Sequence, residues 1–217
     1  MLLSVTTART LTRITTALAF GCAAWVLAGC GGNGTSSSGG GGTPEPSCTL
    51  GFLGDPAKPV ELQLLSRRAD GSAPVLADGG QVAMIVPPQG GRVIFIGVQA
   101  TNIGACGVDL KGVLRDTSTA QVRVDQRTIN LKSSGDGWGG SVAGDISSFA
   151  NVPTCPNQWA SSDLYDHPFE LEVTLTDREG NTATQQRMVV PFCGEPENAE
   201  SCACECQKDY KLGQQCE

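Results

Sequence analysis

Ten cysteines, three tryptophans and a single histidine bound the chemistry open to this chain. One imidazole removes every site that needs two, including an HExxH helix and a histidine-rich zinc centre. His167 precedes Pro168, with Asp163 and Asp166 close by in sequence. A general base needs a nucleophile and an orienting acid within hydrogen-bond reach, and proximity along the chain supplies neither. His167 is therefore read as a loop residue leading into a strand. There is no P-loop and no G-x-S-x-G elbow. Carboxylates are plentiful, with 22 Asp and Glu, but no spacing singles out a pair suited to glycoside hydrolysis. The expectation is a protein that is not an enzyme and carries no cofactor.

Two further groups of residues have ligand-binding chemistry. Asp177, Glu179 and Asn181 place three oxygen ligands at alternate positions around Gly180. That is part of a calcium loop, without the D-x-[DN]-x-[DN]-G-x₅-E frame of an EF-hand. The same Gly180-Asn181 pair is explained by a hairpin turn, since both residues tolerate positive φ. The expectation is no metal, with these three as the calcium candidates. Trp138 sits in Ser134-Gly135-Asp136-Gly137-Trp138-Gly139-Gly140. An exposed indole with an acid nearby can stack on a sugar ring. A Trp folded back over one end of the domain would bury a large apolar area instead. Trp159 carries no comparable signal.

The N-terminal segment is read as an export signal. Met1–Arg13 carries Arg9 and Arg13 and no acid, and an interrupted apolar stretch runs from Ile14 to Leu27. It is too short to be a comfortable transmembrane span, and small residues follow it, as before a secretory cut site. Leu27-Ala28-Gly29-Cys30 resembles the lipobox of bacterial lipoproteins. The resemblance implies a diacylglyceryl group on the Cys30 thiol and cleavage before Cys30. The signal is then residues 1–29, and Cys22 leaves with it. Gly31, rather than Asp, follows the acylated cysteine, which in that family favours the outer membrane.

Removing Arg9 and Arg13 from the 15 basic residues leaves 13 against 22 acidic ones, a net of −9. That charge disfavours nucleic acid as a partner. It also gives an anionic membrane surface nothing to attract, so the lipid must supply the attachment. Residues 30–47 comprise the lipidated cysteine and a Gly/Ser/Pro linker with no large apolar residue. Such a segment cannot bury surface to offset its ordering entropy, and its span is roughly 20–25 Å.

From Cys48 to Cys193 short alternating runs of Val, Ile, Leu and Thr take over. Phe169–Thr176 alternates apolar and polar over eight positions, one face buried and one wet. Val108–Arg115 repeats the pattern. Val60–Arg67, Gln81–Val86, Arg92–Thr101, Gln121–Leu131 and Thr182–Val190 are further strands. Turn signals such as Asp70-Gly71, Asp78-Gly79-Gly80 and Glu179-Gly180-Asn181 separate them. The fold class expected is all-β, an antiparallel sandwich over residues 48–193 followed by a small disulfide-rich tail over 194–217. Val173–Thr184 (VTLTDREGNTAT) resembles the last hairpin of bacterial immunoglobulin-like domains. That resemblance implies an Ig-like sandwich and no enzymatic role.

With Cys22 and Cys30 set aside, eight cysteines remain: Cys48, Cys106, Cys155, Cys193, Cys202, Cys204, Cys206 and Cys216. An even number in an exported chain is read as disulfides, with on the order of a hundred possible pairings. Zinc is the alternative, but Cys202-x-Cys204-x-Cys206 is too tight for the usual knuckle. Cys106 and Cys155 are taken to staple two body strands. Cys204 to Cys216 is similar to the second half of an EGF-like module, with Tyr210 at its aromatic position and Asp209 where Gly is usual. That resemblance implies a Cys206–Cys216 bridge.

Two functional expectations follow. One is a lipid-anchored cell-envelope protein with an unknown protein or glycan partner and a non-enzymatic binding or structural role. The other is a carbohydrate-binding module around Trp138, or a weakly signposted glycoside hydrolase.

Overall fold

The computed structural model describes residues 49–216. The export segment, Cys30, the linker and Cys48 lie outside the described residues. The described chain is mostly β: β1 (Phe52–Leu53), β2 (Glu61–Ser66), β3 (Gly80–Ile85), β4 (Arg92–Thr101), β5 (Ile103–Gly104), β6 (Val108–Arg115), β7 (Val122–Ile129), β8 (Lys132–Gly135), β9 (Trp138–Gly140), β10 (Ala150–Cys155), β11 (Phe169–Thr176) and β12 (Thr182–Cys193), then a helix α1 (Ala199–Cys206). Among the described residues no helix is long and apolar enough to cross a membrane.

The strands form one curled, mixed sheet, with β1 and β5 pairing separately. Strands β7, β6, β11 and β12 are antiparallel neighbours. β12 then pairs with β3 in parallel, from Val189↔Gly80 to Cys193↔Met84. This corrects the expectation of a wholly antiparallel sheet. β3 passes from β12 to β4 at Met84↔Ile94 and Ile85↔Val93. Along β4, β2 pairs with the Ile96–Thr101 half of one edge. β9 and β10 pair with the opposite edge.

β4 and β11 run over the expected residues, and β2, β3, β7 and β12 lie within a few residues of theirs. β10 gave no strand signal because Pro153 interrupts it. Proline is tolerated in a strand at a bulge, and the β10–β4 register shifts between Pro153 and Cys155.

The pleat of β4 feeds two cores. Ile94, Ile96, Val98 and Ala100 belong to the main cluster with Leu110, Leu114, Leu171 and Leu175. Val93 and Phe95 face a smaller cluster with Ile85 and Phe149. Gly97 shares that second face. A Cβ there would stand 2.6 Å from Phe149 Cε1 and 2.8 Å from Ser141 Cβ. The fully buried Phe149 ring rests where the side chain of residue 97 would be.

The C-terminal segment is docked on the sheet. Disulfides join Cys155–Cys206, Cys193–Cys202 and Cys204–Cys216. The expected Cys206–Cys216 and Cys106–Cys155 bridges do not form. Residues four apart on a helix share a face, whereas residues two apart do not. Cys202 and Cys206 of α1 therefore both turn to the sheet, and Cys204 turns away to Cys216. Cys106 is disulfide-bonded as well. All three cysteines of the zinc alternative are consumed in disulfides.

Beneath α1 lies Arg92, 2% exposed, at the start of β4. Its Nε is 3.3 Å from Glu205 and its Nη1 is 3.6 Å from Glu195. Nη2 donates to Ser201 Oγ at 2.7 Å and to the Asn198 carbonyl at 3.3 Å. Asn157 N–H and Leu164 N–H donate to the carbonyls of Glu205 and Cys206, tying the 156–168 loop to the same helix.

Gly97→Ala is expected to lower stability by about 1–3 kcal/mol through overpacking. Adding Phe149→Leu should restore part of the loss, with thermal melts as the measurement. Arg92→Met is expected to cost about 3 kcal/mol, because Glu195 and Glu205 lose their buried partner. Hydrogen exchange should show loosened amides in α1 although its bridges persist.

Candidate functional site

Trp138 begins β9, and a two-residue turn delivers it. Asp136 and Gly137 have φ of 53° and 78°, the double positive φ of the tight hairpin turn that Asp-Gly favours. The Thr101 hydroxyl donates to the Gly137 carbonyl at 2.8 Å and pins this turn to β4.

Directly paired residues share a face of the sheet. Trp138 pairs with Thr101, and Thr101 pairs with Glu61. In the next row Gly140 pairs with Gln99, and Gln99 with Gln63. Trp138, Glu61, Gln63 and Gln99 thus lie on one face. Gly140 leaves its row without a side chain, and a Cβ there would be 2.2 Å from the Val98 carbonyl oxygen.

A groove of about 320 Å³ runs beside this face, lined by Val60–Gln63, Trp138 and Ala183–Gln185. Gln185 is held at both ends of its amide. Its Nε2 donates to the Leu62 carbonyl, and Arg187 Nη2 donates to its Oε1 at 2.9 Å. Trp138 is half-buried, while Glu61 and Gln63 are exposed. Among the described residues their side-chain polar groups have no protein partner. Trp159 differs: it is buried, donates Nε1–H to the Thr154 carbonyl at 3.0 Å, and packs 5.7 Å from the Phe169 ring.

The calcium candidates do not form a cation site. Asp177 is buried, and both its oxygens accept from N–H groups. Oδ1 accepts from Glu179 N and Asn181 N, and Oδ2 from Gly104 N and Asn181 Nδ2. Burial opposes its ionisation, but the bonds from Asn181, Gly104 and Glu179 prevail and hold the carboxyl below its ordinary range. A carboxylate with four N–H donors has its lone pairs filled, and donors repel a cation. Asp177 organises the β11–β12 turn, where Gly180 has φ of +88°.

His167 is exposed. Asp163 Oδ1 accepts from Lys208 N–H at 2.7 Å, and Asp166 donates its N–H to the Pro191 carbonyl. The Asp163 carboxylate is thus engaged by the C-terminal segment, while the Asp166 backbone is tied to β12.

Sequence reasoning passed over Arg92, Asn157 and Asp116. A lone Arg opening the apolar run Val93–Val98 was the available signal for the first. Asp116 is buried; it accepts from Ser161 N at 2.6 Å and Ser118 N at 2.8 Å. Burial would raise its pKa, but the bonds from Ser161, Ser118 and Thr119 outweigh it and hold the pKa at about 2.

A folded-state pKa below the unfolded one stabilises above the unfolded value and is lost as pH falls through the folded one. Asp116 should therefore contribute about 2 kcal/mol at neutral pH, lost between about pH 4 and pH 2. Asp116→Asn is expected to lower the melting temperature at pH 7 and to flatten the acid limb of the stability curve.

Comparison of the chain with family models, with curated proteins and with solved structures gave no match in any of the three.

Proposed function

We propose that the protein is an exported, lipid-anchored component of the cell envelope, and that its β domain has a binding or structural role rather than a catalytic one. The disulfides carry this reading. Cys155–Cys206, Cys193–Cys202 and Cys204–Cys216 staple the C-terminal segment, and such bridges persist in oxidising compartments. The Leu27–Cys30 lipobox supplies the route and the attachment, and Gly31 after the acylated cysteine favours the outer membrane.

The β domain is of the Ig-like sandwich kind in this proposal. Its support is the Val173–Thr184 motif, which folds as the β11–β12 hairpin. The non-catalytic role is supported by Asp163, whose carboxylate takes up the Lys208 backbone N–H.

Acyl chains contribute about 0.8 kcal/mol per buried CH₂, and one chain alone anchors only marginally. A diacylglyceryl group on Cys30 should therefore hold the wild-type protein in the membrane fraction. Cys30→Ala should accumulate as uncleaved precursor, or become soluble after another peptidase acts. Fractionation with mass spectrometry of the mature N-terminus checks this. An unmodified Cys30 in the wild type, or full membrane retention of a processed mutant, would refute it.

A further inference from the structure

We propose that the groove between β2, β9 and β12 binds a neutral oligosaccharide, with the Trp138 indole stacked against a pyranose ring and Glu61 and Gln63 hydrogen-bonding its hydroxyls. The inference deepens the binding role proposed above and is independent of the lipid anchor.

The chemistry of the lining argues for a sugar. A pyranose with equatorial substituents has an apolar C–H face and a polar rim. It needs a flat aromatic surface beside planar hydrogen-bonding groups. Trp138, Glu61 and Gln63 meet this need on adjacent rows of one face. The indole N–H, the Glu61 carboxylate and the Gln63 amide have no protein partner among the described residues. The volume of about 320 Å³ lies at the lower end of small-ligand sites. Gln185, clamped between Leu62 and Arg187, gives the groove a fixed wall, so little ordering is needed on binding.

Charge and backbone pairing set the class. The groove lining includes Glu61 and no Lys or Arg, in a chain of formal charge −7. That disfavours an anionic polysaccharide. An extended peptide would need a run of free backbone groups to add as a strand. On the outer edge of β2 that run is interrupted. Leu64 O and Ser66 N pair with the Pro74–Leu76 segment, and Leu62 O accepts from Gln185.

The test titrates the full-length protein in detergent with cellohexaose, N-acetylchitohexaose and laminarihexaose, with heparin as the anionic control. Calorimetry and tryptophan emission are the readouts. At least one neutral probe should bind with Kd between about 10 μM and 1 mM, and heparin should not. Trp138→Ala should weaken binding at least about tenfold, and Glu61→Gln and Gln63→Ala should each weaken it about threefold. The emission change should vanish in Trp138→Phe. Should Trp138→Ala not fold, Trp138→Phe and Gln63→Ala decide in its place. No binding of any neutral probe at about 10 mM, tighter binding of heparin, or binding unaltered in these variants would overturn the proposal. None of those results would change the membrane fractionation of Cys30→Ala, so the anchor and the ligand fail separately.

Discussion

Strand β4 hydrogen-bonds along both edges and buries side chains on both faces, and this double burial constrains its neighbours. Register is fixed wherever a strand buries one face, because a one-residue slip turns its whole apolar set to the other side. In β4 both faces are buried, so a slip would exchange the Ile94–Ala100 set for the Val93–Phe95 set between two differently shaped cores. The large ring of Phe149 fits against the missing side chain of Gly97, and that complementarity sets the register of β4 against the segment after β9. Ser141 adds a polar lock, accepting from Val98 N–H and donating to the Ser148 carbonyl.

At the N-terminal end of β4 the same constraint takes a polar form. Arg92 is buried because the C-terminal segment covers it, and that segment is held down by the pairs and hydrogen bonds that Arg92 makes. A buried guanidinium is costly unless it is paired. Nη2 is hydrogen-bonded to Ser201 and Asn198, whereas Nε and Nη1 make no hydrogen bond among the described residues and are compensated by the nearby charges of Glu205 and Glu195, which makes the tail part of the fold. The disulfides act on the other side of the equilibrium, restricting the unfolded chain. Asp116 and Asn157 extend this polar frame into the 156–168 loop, each using one side chain to satisfy several backbone groups that no strand reaches.

The groove beside Trp138 is a consequence of how the two halves of the curled sheet meet. β12 pairs with β3 only from Val189 onward, so its Ala183–Gln185 stretch approaches β2 without a backbone ladder. Gln185 spans the gap with its side chain. The opening that remains is bordered by the first residues of β2 and by the Trp that the β8–β9 turn presents. Thr101 joins the two descriptions, since it pairs within β4 and also holds the turn that carries Trp138.

Much of this was legible in the residues themselves. The alternation in Phe169–Thr176 and the apolar run of Arg92–Thr101 marked two strands within their observed bounds, because burial of one or both faces is written directly into local periodicity. Gly180 was readable as a positive-φ turn position for a similarly local reason. The oxygen ligands at Asp177–Asn181 left calcium as an alternative to the hairpin turn, because the sequence does not tell whether a carboxylate faces a cation or backbone N–H groups. Strands β9 and β10, poor in β-forming residues, exist because β4 offers them an edge. The parallel β12–β3 pairing and the meeting of Arg92 with Glu195 and Glu205 depend on residues more than a hundred positions apart, and the pairing of Cys206 with Cys155 spans 51. Periodicity reports what a segment buries, and long-range packing alone decides what it is buried against.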